Sequence, residues 1–239
     1  KELKFYVSDM GKCLRMRYLK RKGIKGMYGF ETYYTFTHGD FIHNLGYKAL
    51  EAKGILVSTE QAIGNEHFSG RYDGKIRHGK DIKMFDFKSM NPYALKRLVG
   101  GGSENIENIM QVLTAIILER AKGDKDLSDV GAVIYVNKFP YEKIEPTIIL
   151  AKEYHLSLYE KEIKADMERI LDAWVTDKIP DCSCPSWSMQ KYNSFWEFCH
   201  MDKKEIKKYL GHIQKGKIVT TNGFEIFVTD KVKEEEHGK

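Results

Sequence analysis

The chain has 239 residues, 42% of them hydrophobic and 31% charged, with a formal net charge of +5. That suits a globular protein of one large domain, or a domain with a small appendage. No apolar run approaches the ~20 residues that cross a bilayer, and the start KELKFYVSDMGK lacks the apolar segment of a secretory signal, so an intracellular protein with no membrane partner is expected.

The charge is uneven: from Lys1 to Lys25 nine Lys or Arg stand against two acidic residues. The aromatic stretch MYGFETYYTF (Met27 to Phe36) follows directly. Cations for phosphates and rings for bases are what a single-stranded nucleic-acid track needs, with Arg15, Arg17, Lys20 and Arg71 as candidate DNA contacts. Core packing is the expected role for most of Tyr28, Phe30, Tyr33, Tyr34 and Phe36.

Ser8 or Asp9 is a fitting cap for a first helix through KCLRMRYLKRKG, ending near Gly23. Asp40 is then expected to cap a second helix, FIHNLGYKALEAKG, with Phe41, Leu45, Ala49 and Ala52 at helical spacing and Gly54 as its stop. ILVSTEQAIG reads as a strand. FSGRYDGKIRHGKDIKMFDFKS (Phe68 to Ser89) reads as two short strands around a tight turn, and Asn91-Pro92 starts a helix to about Val99. Beyond a Gly100–Gly102 joint, Ile106, Ile109, Met110, Leu113, Ile116 and Ile117 mark an amphipathic helix. The strands GAVIYVNKF and IEPTIIL come next, then a long helix with Leu156, Tyr159, Ile163, Met167, Ile170 and Trp174 on its buried stripe. The ending KVKEEEHGK reads as disordered. The order predicts an α/β fold, a mixed central sheet flanked by helices with a cysteine-bearing extension.

The hairpin carries the chemistry. With the turn on Gly79-Lys80 and Gly79 supplying the positive φ of a type II′ turn, His78 falls opposite Asp81 and the same count sets Asp73 opposite Asp86. Directly opposed Cβ atoms are about 5 Å apart, so two carboxylates there repel unless a cation joins them. Lys88 lies two residues beyond Asp86 on the same strand face, while Tyr72, Ile76, Phe85 and Phe87 alternate toward a core. A solvated surface hairpin is the plain alternative.

Cys13 stands near the start and Cys182, Cys184 and Cys199 near the end. Four thiolates make a closed tetrahedral site for Zn²⁺ or hold an iron–sulfur cluster, and tertiary closure alone brings Cys13 to the others. Disulfides and four unlinked buried thiols are the alternatives. Trp187, Tyr192, Phe195, Trp196 and Phe198 are expected to shield the site, and His200 competes with Cys199 as its last ligand.

Taken in order, GDFIH (Gly39 to His43), a strand with Glu60, GRYDG (Gly70 to Gly74), FDFKS (Phe85 to Ser89) and a helix bearing Gln111 resemble the PD-(D/E)XK nuclease superfamily. The resemblance is to its RecB-like branch, similar to CRISPR-associated and phage iron–sulfur exonucleases. It implies a restriction-endonuclease-like core over about residues 37–177, with residues 1–25 and 178–202 joined as a cysteine-cluster subdomain and a tail at 230–239. It also implies that His43, Asp73, Asp86 and the Phe87 carbonyl bind Mg²⁺ or Mn²⁺, that Lys88 positions or activates water, and that Gln111 assists. Ala115 stands where the glutamine motif usually has tyrosine. A [4Fe-4S] cluster on the four cysteines is implied as well, with Zn²⁺ as the alternative. The activity implied is exonuclease digestion of single-stranded DNA, 5′ to 3′, in a bacterial, archaeal or phage-encoded protein of recombination, repair or CRISPR adaptation. A structure-specific endonuclease and a non-catalytic DNA-binding module are the rival readings.

Overall fold

The computed structural model describes residues 3–138, 149–184, 194–221 and 225–230. In chain order the first elements are β1 (Phe5–Tyr6), a 3₁₀ turn (Val7–Asp9), α1 (Leu14–Arg21), β2 (Lys25–Gly26) and α2 (Phe30–Ala52). Five strands follow: β3 (Leu56–Thr59), β4 (Ala62–Gly64), β5 (Phe68–Arg71), β6 (Gly74–His78) and β7 (Asp81–Met90). Then come α3 (Pro92–Val99), α4 (Ile106–Ala121), β8 (Leu127–Asn137), β9 (Ile149–His155) and α5 (Leu156–Val175). The chain closes with α6 (Trp196–His200), α7 (Lys203–Gln214), β10 (Lys217–Thr221) and β11 (Ile226–Asp230). The fold is mixed α/β, as its sequence pattern predicts. Among the described residues no helix is long and apolar enough to cross a membrane.

Two compact units are present: residues 6–11 with 32–171, and residues 1–5 with 12–31 and 172–239. The first is built on a five-stranded sheet in the order β3-β6-β7-β8-β9. Only β7 and β8 run parallel, and the connection between them passes through α3 and α4. Both faces are covered. Phe85 and Phe87 point to the α2 side, where they pack with Tyr47, Ala132 and Ile134. A Cβ on Gly46 would come within 2.4 Å of the Phe87 ring, so α2 sits this close because residue 46 has no side chain. On the opposite face α4 buries Val112, Leu113 and Ile116 over Gly131 of β8.

The hairpin forms in the predicted register. His78 pairs with Asp81, Gly74 with Phe85, and Gly79 takes φ +64° while Lys80 keeps a negative φ, as a type II′ turn requires. Asn91 caps α3 by accepting the Ala94 N–H, with Pro92 in its first turn.

Several expectations are corrected. Ser8 and Asp9 lie in the 3₁₀ turn and Cys13 is the N-cap of α1. Asp40 sits inside α2, which starts ten residues earlier at Phe30; a Gly-Asp pair imitates a cap, but the stretch before it continues the helix. ILVSTEQAIG divides into β3 and β4 at Glu60, whose φ is +47°. The segment from Phe68 likewise holds three strands, because the chain leaves β5 at Tyr72-Asp73 before entering β6. The aromatic rings near the start of α2 are not core: Phe30 is 84% exposed, Tyr34 63% and Tyr33 60%, with Tyr28 and Phe36 exposed too. Most of IEPTIIL, Trp187, Tyr192 and the tail KVKEEEHGK lie outside the described residues.

In the second unit, β10 pairs antiparallel with β11 and parallel with β2, α7 packs on β10, and α1 packs with α6. Between residue 202 and the tail at 230 the sequence reading assigns no element. Asp202 caps α7 by accepting the Lys204 N–H, and Ile206 is its buried anchor.

Candidate active site and cysteine centre

β6 starts at Gly74, so beyond the Gly74–Phe85 pair the edge of β7 is open. Asp73, the residue just outside β6, fills that gap: its Oδ2 accepts the backbone N–H of Phe87 at 2.7 Å. From the α2 side comes His43, with Nδ1 3.7 Å from the same Asp73 oxygen and its ring against Phe87. Asp86 points to the α4 side and is 3% exposed. There Gln111 donates to Asp86 Oδ1 at 2.8 Å and accepts from Lys88 Nζ at 3.0 Å. Lys88 Nζ also lies 2.6 Å from Asp86 Oδ2, as an ion pair without hydrogen-bond alignment. The structure thus brings Asp73, Asp86, Lys88, Gln111 and His43 around one strand edge: Asp86, Lys88 and Gln111 on the α4 face, His43 from the α2 face, and Asp73 between.

Electrostatics fits an uncompensated pair of acids. Burial and the neighbouring Asp86 raise Asp73 to about 7, against the partial relief of the Phe87 N–H. His43 is pushed down, first by burial, so its imidazole is neutral near pH 7. Neutral imidazole and carboxylate oxygen are donors for a divalent cation. His43, Asp73 and Asp86 do not bring their ligand atoms together into a cage by themselves. Among the described residues only the cysteines form such a cage.

Two neighbours escape the sequence reading. Tyr47, one turn beyond His43, is buried against Phe87, and its hydroxyl is pushed up by burial and by Asp73. Tyr135 of β8 pairs in register with Lys88, on the α4 side, and burial raises it too. The i, i+4 spacing from His43 was a signal for Tyr47; Tyr135 needed the β7–β8 register.

The proposed DNA contacts separate. Arg15 and Arg17 are 6% and 2% exposed. Arg15 donates to the carbonyls of Pro180, Cys199 and Met201 at 2.8–3.0 Å, so this guanidinium holds loops together and faces no solvent. Lys20 is half-buried. Arg71 is exposed and pairs with Glu60 at 3.0 Å.

In the second unit the four cysteines converge, their sulfurs all within 4.8 Å of one another. Cys13 comes from the start of α1, Cys199 from α6, and Cys182 and Cys184 from the loop after α5. Cys13 Sγ and Cys199 Sγ are 3.9 Å apart and none of the four is in a disulfide. The Ser183 N–H points at Cys13 Sγ and the Cys184 N–H at Cys182 Sγ, each at 3.4 Å. Cys13 is lowered to about 4, chiefly by the hydrogen bond with Cys199, and burial helps push the Cys184 thiol up to about 12. One thiolate among crowded thiols is what four sulfurs do before a cation compensates them. Phe195 and Phe198 are buried in this unit, whereas His200 is exposed and bonded to the Trp196 carbonyl, which leaves Cys199 as the fourth sulfur. The centre can bind a metal ion or an iron–sulfur cluster.

No family model and no curated protein matches the chain. Solved structures do. One titled "Crystal structure of SSO0001" superposes with a TM-score of 0.50 at 20% identity, covering 84% of this chain and 87% of that one. An alkaline exonuclease (LHK-Exo) from Laribacter hongkongensis gives 0.37 at 13% identity over 55% of this chain and 66% of its own. The same enzyme in complex with dAMP gives 0.46 at 13% identity over 74% and 95%. The first likeness is one of fold; the two exonuclease superpositions are looser.

Proposed function

We propose that the chain is a metal-dependent deoxyribonuclease of the PD-(D/E)XK type, RecB-like branch, that hydrolyses phosphodiester bonds at single-stranded DNA ends. The observation that carries this reading is the Asp86–Lys88–Gln111 cluster at an open strand edge, with Asp73 and His43 closing from the other side. Such an edge sets two acids and an ammonium in one neighbourhood, with Lys88 and Asp73 partly exposed and Asp86 buried behind them.

His43, Asp73, Asp86 and the Phe87 carbonyl would hold Mg²⁺ or Mn²⁺, which supplies a Lewis acid and a lowered water pKa at the phosphate. The fit rests on hard oxygen donors, on a neutral imidazole, and on the acid–acid repulsion that raises Asp73. Lys88 orients the attacking water and takes up charge beside it; at 2.6 Å from Asp86 its ammonium needs little movement. Gln111 fixes both partners: its amide N–H holds Asp86, and its carbonyl oxygen holds Lys88. Tyr33, Tyr34 and Phe36 share α2 with His43 and offer bases an exposed stacking surface, at about 1–3 kcal/mol per stacked base. Arg71 and Lys20 remain as phosphate contacts.

Digestion from 5′ to 3′, a role in recombination, repair or CRISPR adaptation with the corresponding protein partners, and a [4Fe-4S] cluster or Zn²⁺ on the cysteines complete the reading by resemblance. The test incubates end-labelled linear single strands, circular single strands and duplexes with Mn²⁺. Linear single strands shortening to small products while circles survive is the expected result. Cut circles would give the endonuclease reading, and binding with no metal-dependent product would leave a DNA-binding module.

A further inference from the structure

We infer that the four-cysteine centre is sized for one tetrahedral ion, zinc, and is too narrow for the four-iron cluster that the sequence resemblance implies. Net charge does not separate the two occupants: four thiolates around Zn²⁺ and four thiolates around a [4Fe-4S]²⁺ core both total two negative charges. Size does. An ion bound at a Zn–S length of about 2.3 Å sits in a sulfur tetrahedron with edges of about 3.8 Å. In a cubane each cysteine sulfur binds a different iron and points outward, so the sulfur–sulfur edges widen to roughly 6 Å. Cys13 and Cys199 are at 3.9 Å, and no pair of the four exceeds 4.8 Å. The cage therefore sits near the single-ion size along one edge and short of the cluster size along every edge.

The chain positions resist widening. Cys13 is fixed as the N-cap of α1 and Cys199 lies within α6, tied back by the Cys199 N–H to the Phe195 carbonyl. Arg15, in the first turn of α1, donates to the carbonyls of Cys199 and Met201 and so clamps these two segments together. The C-x-C segment is closed on itself, with the Cys184 N–H on Cys182 Sγ. Backbone N–H groups aimed at sulfur favour the thiolate form a metal needs. Separating the sulfurs by a further 1–2 Å or so would break this set of bonds at several points.

Metal analysis of the full chain decides it, independently of any nuclease activity. The protein is expressed in iron-supplemented medium and purified without oxygen, so that a cluster, if formed, survives. Roughly one zinc per chain, with negligible iron and acid-labile sulfide and no broad absorption at the blue edge of the visible, is the expected result. Exchange into Co²⁺ should then give the visible bands of tetrahedral cobalt thiolate in equal stoichiometry, lost in Cys184→Ser. About four irons and four sulfides per chain would overturn the inference, and so would a colourless protein with no stoichiometric metal.

Discussion

The two clusters solve the same electrostatic problem in opposite ways. At the β7 edge the like charges belong to oxygen, lie largely buried, and are met by a lysine, a glutamine amide and one backbone N–H. Around Cys13 they belong to sulfur, lie among buried rings, and are closed by segments far apart in sequence. An exchangeable hard cation suits the first and a permanent soft one the second. The first cluster leaves its acids uncompensated, as the raised Asp73 shows; the second gathers four sulfurs that a single ion would compensate.

That contrast can be broken most sharply at Asp86. Asp86→Ala should lower Mn²⁺-dependent cleavage by ~10³-fold or more in an end-labelled assay, with the circular-dichroism spectrum unchanged. Removing a sulfur should act on the other axis. Cys182→Ser should lower the melting temperature by about 10 °C or more, as loss of a structural metal does, and treatment of the wild type with a strong chelator should do the same.

Asp73 separates function from stability. Its carboxyl titrates near 7 in the folded chain against 3.8 ordinarily, so the folded state holds a proton that the unfolded state has lost. Metal-free stability therefore falls as pH rises from about 4 to 7 and levels off above, and Asp73→Asn should remove that slope while abolishing cleavage. Urea midpoints across this range check both statements. Smaller is the effect of Gly46→Ala: the added methyl meets the Phe87 ring at 2.4 Å, and a cost of about 1–3 kcal/mol is expected. Because α2 also carries His43, metal affinity should weaken along with the thermal midpoint. Tyr33→Ala with Phe36→Ala should leave cleavage of a saturating substrate intact and raise its KM.

Much of the candidate site was legible because it is local. One glycine at a positive φ and a two-residue alternation fix the register from Gly74 to Phe85, and the register delivers Asp73 and Asp86. Gln111 was legible only through its place in a motif order, since its partners Asp86 and Lys88 are reached across the sheet. The N-terminal half of α2 was not, because Gly39-Asp40 looks like a helix start and the rings before it look like core. Arg15 and Arg17 read as DNA contacts because composition cannot reveal that the carbonyls awaiting Arg15 belong to residues 180, 199 and 201. β10 escaped for the same reason: its parallel partner β2 lies at the other end of the chain.

The central claim is that Asp73 and Asp86 share a hard cation at the open edge of β7. A Mn²⁺ titration of the metal-free protein, followed by electron paramagnetic resonance at pH 6 and pH 8, tests it without reference to DNA. Saturable binding that strengthens at pH 8, as Asp73 gives up its proton, and that disappears in Asp73→Asn and Asp86→Ala is the predicted result. Equal binding in all three proteins, or none in the wild type, would contradict it.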